Sequence, residues 1–267
     1  MELGSTRDRR LTNRTFASDR VPGRPWHPPA LAFGLPLELT VPGVGSLEAE
    51  DVRWRPSYRI IASEWAGESL FDRLVGEEES DDVRAIADLT NPQTLAEMGE
   101  VELVPSGDQH FGPGSGLIMA AFTWPRMPSR FSDGSRGTYY AAREEETAVR
   151  ETVHHDEIFL AGSGDVVVEK TVIEAELDAT LVDVRTGRPA PPGLDHRTDY
   201  SAGQAFGGDV RRLGGDGILY HSVRHRAPDV GPLGECAAVF RPSVLRDAVA
   251  ARTMEYHWDG SRITLAR

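Results

Sequence analysis

Residues 130–155 read RFSDGSRGTYYAAREEETAVRETVHH, and this is the most informative stretch of the chain. A glycine-rich turn leads into GTYYAA, whose apolar residues predict a short strand. Three glutamates then open a predicted helix at about 144–159, because acidic side chains are favoured at the positive end of a helix dipole. Glu151 and His155 are four residues apart and share one face of that helix. The stretch therefore predicts a strand and a helix that together present an aromatic ring, a carboxylate and an imidazole.

The polar side chains of this stretch have the chemistry that a nucleotide pocket needs. Arg130, Tyr140, Glu151 and His155 follow one another at offsets of ten, eleven and four residues. A guanidinium suits phosphate oxygens, a tyrosine offers a stacking surface, and a carboxylate can stabilise positive charge on a sugar. Tyr139 alternates to the other strand face and is predicted to be a core residue. The pattern predicts a pocket that holds a nucleotide diphosphate and cleaves a glycosidic bond.

Length and composition indicate a large domain with an extension. The chain has 267 residues, of which 39% are hydrophobic, and this is enough for a core. Residues 1–56 are rich in proline, glycine and arginine. Because proline removes a backbone donor and restricts φ, we expect an extended arm there. Residues 57–267 are then the folded domain.

The protein is predicted to be cytoplasmic. No apolar run approaches the ~20 residues that span a bilayer, and the first residues contain no apolar segment of a secretory signal. The single cysteine, Cys236, excludes an internal disulfide and fits a reducing compartment. It lies in the apolar run GECAAVF, so we interpret it as a buried small side chain, with a catalytic thiol as the alternative.

The charge pattern points to a small anionic ligand rather than a nucleic acid. A net charge of −13 argues against broad nucleic-acid binding, which requires a basic surface. A local anion site remains compatible with it, and arginines, which supply nearly all the cations, bind phosphate bidentately. No metal site is predicted, because HExxH and cysteine-rich spacings are lacking. The adjacent His154 and His155 point about 100° apart on a helix.

The other predicted elements alternate irregularly between helix and strand. Short helices are predicted at 68–75 and 81–89, and the apolar run LIMAAFTW (117–124) fits either a buried helix or a buried strand. Strands are predicted for VVVEKTVIEAEL (166–177), ILYHSVRH and CAAVFRP, with a loop at TGRPAPPG. Because strict βαβ periodicity is lacking, we expect an α+β domain with a mixed or antiparallel sheet and flanking helices.

The motif and the segments around it resemble the RES family, the toxins of RES–Xre toxin–antitoxin systems, which are related in fold to ADP-ribosyltransferases. The resemblance extends from about Ser57 to Pro242. It rests on YRIIASEW, TNPQ, VELVP and GPGSGLIMAAFTWP before the motif, and on SAGQAFG, GDGILYHSVRH and GECAAVFRP after it. A weaker match follows at EYHWDG. The compact toxins of the family lack counterparts of residues 1–56 and of roughly 66–125, and the opening RIIASEW lacks the family's usual prolines.

The resemblance implies that Arg130, Glu151 and Ser222 carry catalysis, because they match the three residues of the family name. Glu151 would hydrogen-bond the nicotinamide ribose and stabilise the developing cation. Ser222 would hydrogen-bond nicotinamide or the phosphates, since no GxSxG elbow surrounds it that would indicate a nucleophile. The alternatives are a surface ion pair for Arg130, a surface position on the helix for Glu151 and a strand serine hydrogen-bonded within the protein for Ser222.

The resemblance also implies four residues that bind NAD, namely Arg59, Tyr140, His155 and Gln204. Arg59 and the motif arginine would hold the pyrophosphate or the ribose. Tyr140 would stack on nicotinamide or bond the ribose through its hydroxyl. His155 would orient the catalytic carboxylate or the substrate, and Gln204 would reach the pocket. The alternatives are a surface ion pair for Arg59, a core aromatic for Tyr140 and a structural histidine for His155.

The implied function is that of a toxin that degrades NAD by cleaving the nicotinamide–ribose bond, with water or inorganic phosphate as the acceptor. One alternative is a protein ADP-ribosyltransferase that uses the same pocket. Another is a non-catalytic nucleotide-binding or interaction domain, which the acidic surface and the long arm suggest. The implied partner is an Xre-type antitoxin that binds and blocks the pocket, with a homodimer as one arrangement inside that complex. No metal cofactor and no membrane partner are expected.

Overall fold

The central sheet is organised around two long strands, which we label β3 and β5 in chain order. The computed structural model describes residues 39–41, 45–73, 98–124, 127–225 and 233–266. The strands are β1 (Leu39–Val41), β2 (Gly45–Leu47), β3 (Ala49–Ala62), β4 (Tyr139–Ala142), β5 (Val166–Asp183), β6 (Gly217–His221), β7 (Glu235–Val239), β8 (Leu245–Trp258) and β9 (Ile263–Ala266). The helices are α1 (Leu70–Arg73), α2 (Ser115–Thr123), α3 (Glu145–Leu160) and α4 (Ser201–Arg212).

The larger sheet is mixed and partly closed on itself. Its order is β3-β4-β7-β6-β5-β8-β9, and β3 also pairs with β5, so that five strands form a ring. The β5–β6 pair is parallel and the other pairs are antiparallel. Strands β1 and β2 form a separate antiparallel pair. The prediction of an α+β fold with a mixed sheet and flanking helices is confirmed.

Strand β5 holds the sheet together because it pairs on both of its edges. Its register with β3 runs from Ala49 opposite Val182 to Ala62 opposite Lys170, and β8 pairs with its first two thirds. The sequence predicted this strand only to residue 177. The strand continues to Asp183 because buried apolar residues go on alternating with less buried ones, and β-branched side chains pack well on a pleated sheet surface.

Strand β3 begins before the predicted boundary between the arm and the domain. The boundary predicted after residue 56 falls inside β3, so residues 49–56 lie in the sheet. Pro56 is accommodated there because it sits at a register shift between Trp54 and Ser57, a position at which a strand tolerates proline. Residues 39–41 and 45–47 of the predicted arm form the β1–β2 pair. Residues 1–38 and 42–44, together with the helix predicted at 81–89, lie outside the described residues.

The apolar run at 117–124 is a helix, α2, and it is buried on more than one side. Ile118, Met119 and Phe122 are buried, and so is Thr123. Because α2 is in contact with the protein on several faces, its sequence has no polar stripe. Without such a stripe, periodicity alone could not distinguish a helix from a strand. Among the described residues, no helix is long and apolar enough to cross a membrane.

The sheet separates two hydrophobic cores. One contains Ile118, Met119 and Phe122 of α2 together with Tyr139 of β4. The other lies beneath α3 and α4 and contains apolar residues of both helices together with Ile60, Ala142, Tyr220 and Cys236. Alternation along β4 sends Tyr139 into the first core, as predicted, and leaves Tyr140 beside the second. The second core forms one side of the candidate site.

Candidate functional site

A cavity of about 520 Å³ lies between α3, the strands β3 and β4, and the loop before α4. This volume is within the range of pockets that hold small molecules. Polar residues and aromatic rings from six separate segments line it. They are Tyr58, Arg59, Ser129, Arg130, Tyr140, Glu151, Thr152, His154, His155, Arg197, Thr198, Tyr200 and Tyr220.

The tertiary structure brings together most of the predicted site residues. Arg59, Arg130, Tyr140, Glu151 and His155 line the cavity. Two others lie behind its wall rather than in it, and each of them bonds a residue that does line the cavity. These two are Ser222 and Gln204.

Glu151 is held by the hydroxyl of Ser222, which donates a hydrogen bond to its Oε1. The serine is completely buried, and its Oγ accepts hydrogen bonds from the backbone N–H groups of Arg224 (3.0 Å) and His225 (2.8 Å). Two backbone donors therefore fix the oxygen, and the hydroxyl proton is directed to the carboxylate. The expectation that Ser222 bonds the substrate directly is not what the geometry favours, because its side chain lies behind the cavity wall.

Arg59 is a half-buried cation with no carboxylate within ion-pair distance among the described residues. Its guanidinium stacks 4.6 Å from the centre of the Tyr139 ring, and one nitrogen donates to the carbonyl of Tyr140 at 3.4 Å. Burial lowers the pKa of Arg59 from its ordinary value, and the phenol groups of the two tyrosines oppose this shift. Among the described residues Arg59 has no ion pair, so its charge is left for a ligand on the cavity side.

Arg130 connects the cavity to the loop that covers one side of it. One guanidinium nitrogen donates to the carbonyl of Leu194 at 2.8 Å and to that of His196 at 2.9 Å. The guanidinium also lies 4.8 Å from the centre of the Tyr200 ring. A guanidinium has five N–H donors, and this contact uses one nitrogen. Arg130 can therefore hold the loop and a ligand anion at the same time.

The hydroxyl of Tyr140 is engaged in the protein. It accepts a hydrogen bond from the backbone N–H of Phe131 at 2.9 Å and lies 2.8 Å from Ser129 Oγ. Burial raises the pKa of Tyr140, and the hydrogen bonds from Ser129 and Phe131 oppose this shift. Of the two predicted roles, the structure favours a contact through the ring, because the hydroxyl already fixes the segment that carries Arg130.

Helix α4 packs directly on that same segment. Gln204 donates from Nε2 to the carbonyl of Ser129 at 3.1 Å. A Cβ at Gly203 would overlap the carbonyl oxygen of Arg130, and one at Gly207 would overlap that of Phe131. These two glycines, one turn apart, let the helix approach the backbone closely. Gln204 thus supports the site from behind and does not reach the cavity as predicted.

His154 and His155 both line the cavity, although adjacent residues on a helix were not expected to share a site. Their ring centroids are 5.7 Å apart. Desolvation by burial lowers the pKa of both histidines, and the charge of Arg224 lowers both further while Glu151 raises them. Both side chains reach the same cavity because it extends around this side of α3. Within the described residues, no group of three or more His, Cys, Asp or Glu side chains is placed to hold a metal ion.

The sequence reasoning missed several cavity residues that belong to no recognisable motif. Arg197, Thr198 and Tyr200 lie in the loop before α4, and Tyr220 packs edge-on against Phe131 with ring centroids 5.0 Å apart. The one sequence signal for the first three is the concentration of polar and aromatic residues in DHRTDY, whereas Tyr220 lies in the segment GDGILYHSVRH that resembles the family. Cys236 is buried, as interpreted, and burial raises the pKa of its thiol well above the ordinary value. It also forms part of the cavity wall.

Comparisons with known proteins place these features in a family. A model described as the RES domain matches residues 109–259, which is more than half of the chain. A Sinorhizobium fredii (strain NBRC 101917 / NGR234) protein, "Uncharacterized protein y4oC", is 24% identical over 229 residues, 78% of this chain and 85% of that protein. The crystal structure of the M. tuberculosis MbcT–MbcA toxin–antitoxin complex matches with 14% identity and a TM-score of 0.39, over 75% of this chain and 85% of that one.

Proposed function

This chain belongs to the RES domain family, and from that premise we propose that it is a toxin that cleaves the nicotinamide–ribose bond of NAD. One observation carries the proposal. A carboxylate, Glu151, is held by a buried hydroxyl on the wall of a cavity that also contains two arginines, Arg59 and Arg130, with no ion pair among the described residues. A dinucleotide has the matching charges, since it combines a pyrophosphate with a sugar that becomes cationic as the bond breaks.

The two arginines bind the pyrophosphate from different sides of the cavity. Arg59 offers a partly desolvated charge, because the ring of Tyr139 lies beneath it and the backbone of Tyr140 beside it. Arg130 offers its remaining donors from the base of the loop. Hydrogen bonds between a guanidinium and phosphate oxygens are charge-assisted and directional, so they orient the substrate as well as bind it.

Glu151 acts at the sugar. As the C–N bond breaks, its electron pair leaves with nicotinamide and positive charge develops on the ribose ring, where the carboxylate stabilises it. The oxygen of an acceptor, water or inorganic phosphate, then forms a bond to the same carbon and a proton is released. A preorganised charge of this kind contributes on the order of 10²- to 10³-fold to the rate.

The test is NAD turnover by the purified protein, measured as nicotinamide release with and without phosphate. We expect turnover in the wild type and a loss of at least about 100-fold in Glu151→Gln, which keeps the size and removes the charge. Glu146→Gln is the matched control, since this residue lies on the same helix, is largely exposed and pairs with Arg150. A wild-type protein without turnover, or a Glu151→Gln protein as active as the control, would refute the proposal.

We further propose that an antitoxin covers the mouth of this cavity. Ile158 lines the cavity although it is 61% exposed, and the neighbouring Phe159 is 84% exposed. Two adjacent apolar side chains in water at the rim of a polar cavity are typical of a surface that a partner protein buries. The same purified protein would then be inactive in complex with its antitoxin, and Phe159→Asp would weaken that inhibition.

A further inference from the structure

A second group of basic side chains lies at the cavity, apart from Arg59 and Arg130. Arg197 and His154 line the cavity. Arg224 donates a hydrogen bond to the backbone carbonyl of Arg197. The charges of both arginines lower the pKa of His154, after the larger effect of desolvation by burial. The loop that carries Arg197 and the segment that follows Ser222 therefore bring cations together against α3.

The positive charge of this group is not neutralised within the described residues. Neither Arg197 nor Arg224 has a carboxylate within ion-pair distance there, and Asp199 of the same loop accepts a hydrogen bond from Ser201. The Nε2 atom of His154 is buried and has no hydrogen-bond partner there either. Glu151 is the nearby acid that raises the pKa of His154. Like charges repel one another, and a buried polar atom without a partner costs free energy, so the arrangement is one that an anion would stabilise.

From this arrangement we propose that Arg197, Arg224 and His154 form a phosphoryl-binding subsite of the cavity, separate from Arg59 and Arg130. A phosphoryl group has three acceptor oxygens. Arg197 and His154 supply a guanidinium and an imidazole from the cavity wall, and Arg224 adds its charge beside them while one of its nitrogens bonds the carbonyl of Arg197. The inference rests on the proposed function in so far as both use one cavity. His154 is three residues beyond Glu151, so the two neighbour each other on α3 and the subsite lies on the Glu151 side.

The phosphoryl group has two sources, namely a nucleotide that occupies the cavity or free inorganic phosphate. Both can be tested without turnover by isothermal titration calorimetry with inorganic phosphate, with ADP-ribose, and with phosphate added to protein saturated with ADP-ribose. We expect Arg197→Gln to weaken whichever ligand uses the subsite by about 10-fold or more, because a hydrogen bond to a charged group is lost. Arg197→Glu should weaken it further.

The matched control is Arg150→Gln, which makes the same change of charge on an exposed part of α3 where Arg150 pairs with Glu146. If ADP-ribose alone loses affinity in Arg197→Gln, and phosphate competes with it, the subsite binds the phosphate of the nucleotide. If phosphate alone loses affinity and binds together with ADP-ribose, the subsite binds the free anion. Both results support the subsite.

The subsite is refuted if Arg197→Gln binds phosphate and ADP-ribose as Arg150→Gln does, or if the wild type binds neither ligand. These outcomes are separate from the fate of the proposed function, which is decided by NAD turnover in the wild type and in Glu151→Gln. A protein that binds phosphate through Arg197 but does not cleave NAD would keep the subsite and lose the proposed reaction.

Discussion

Ser222→Ala tests whether this buried serine acts through Glu151. The Oγ atom makes three hydrogen bonds, one donated to Glu151 and two accepted from the backbone N–H groups of Arg224 and His225. The alanine leaves two partly buried backbone donors without an acceptor, which costs about 2–4 kcal/mol of the free energy of unfolding. The hydrogen bond from Ser222 to the charged carboxylate of Glu151 contributes about 1.5–3 kcal/mol to the free energy of unfolding.

A double-mutant cycle isolates that bond. Ser222→Ala, Glu151→Ala and the double variant are unfolded in urea, and the coupling free energy is the departure from additivity. We expect a coupling of about 1.5–3 kcal/mol, because either single change removes the same hydrogen bond. Ser57→Ala is the control. Ser57 is also a buried serine, bonded to the carbonyl of Ala175 at 2.8 Å, and its change should be additive with Glu151→Ala.

Turnover gives an independent measurement of the same contact. A serine that positions Glu151 affects the transition state, so Ser222→Ala should lower kcat for NAD cleavage about 10- to 100-fold with KM nearly unchanged. A serine that binds the substrate would instead raise KM. A coupling free energy below about 0.5 kcal/mol together with a raised KM would refute the positioning role and restore direct substrate binding.

Three further predictions follow from the packing and charges of the site. Gly203→Ala should destabilise the fold and lower nucleotide affinity, because the new Cβ overlaps the carbonyl of Arg130. Gly208→Ala, which adds its Cβ in open space on the same helix, should stabilise the fold by about 0.5–1 kcal/mol. Thermal unfolding and ADP-ribose binding measure both variants, and equal effects of the two changes would contradict this prediction. Arg59→Met should leave the free energy of unfolding unchanged or raised, because it removes a partly buried charge that has no ion pair among the described residues. It should also weaken ADP-ribose binding about 10-fold or more, and a strongly destabilised protein would argue for a structural role. Desolvation lowers the pKa of His155 from its ordinary 6.5, so above that pH the histidine is neutral in both the folded and the unfolded state. Below that pH the unfolded chain takes up the proton first, and the folded state loses stability until its own lower pKa is reached. His155→Asn should therefore lose less stability than the wild type in urea unfolding between about pH 7.5 and about pH 5.5, and equal losses would show that this histidine is not desolvated.

The pattern of the sequence predicted the local geometry of the site well. Glu151 and His155 were placed on one helix face, and Tyr139 and Tyr140 on opposite strand faces, and the structure has them so. These predictions succeed because the periods of helix and strand are set by backbone geometry and require no knowledge of distant residues. The resemblance to the RES family then indicated Arg59 and Arg130, which no periodicity would have brought to the same cavity.

The roles of Ser222 and Gln204 could not be predicted in the same way. Both were expected in the pocket, and both lie behind it. Ser222 is 71 residues from Glu151, and their contact depends on how β6 is placed beside β7 and on how α3 packs against the sheet. A motif match predicts that a residue belongs to the site, but it does not predict whether its side chain touches the ligand or another side chain.

The sequence was enough to predict the α+β class, the strand and helix that carry the motif, and the residue types that a nucleotide pocket requires. These depend on local periodicity, propensity and charge. Only the folded chain shows that β3 closes onto β5, that Ser222 holds Glu151, and that Arg197 and His154 line one cavity while Arg224 bonds the backbone of Arg197. The reason is physical: such contacts join segments far apart in the chain, and their geometry follows from the packing of the whole sheet and its helices.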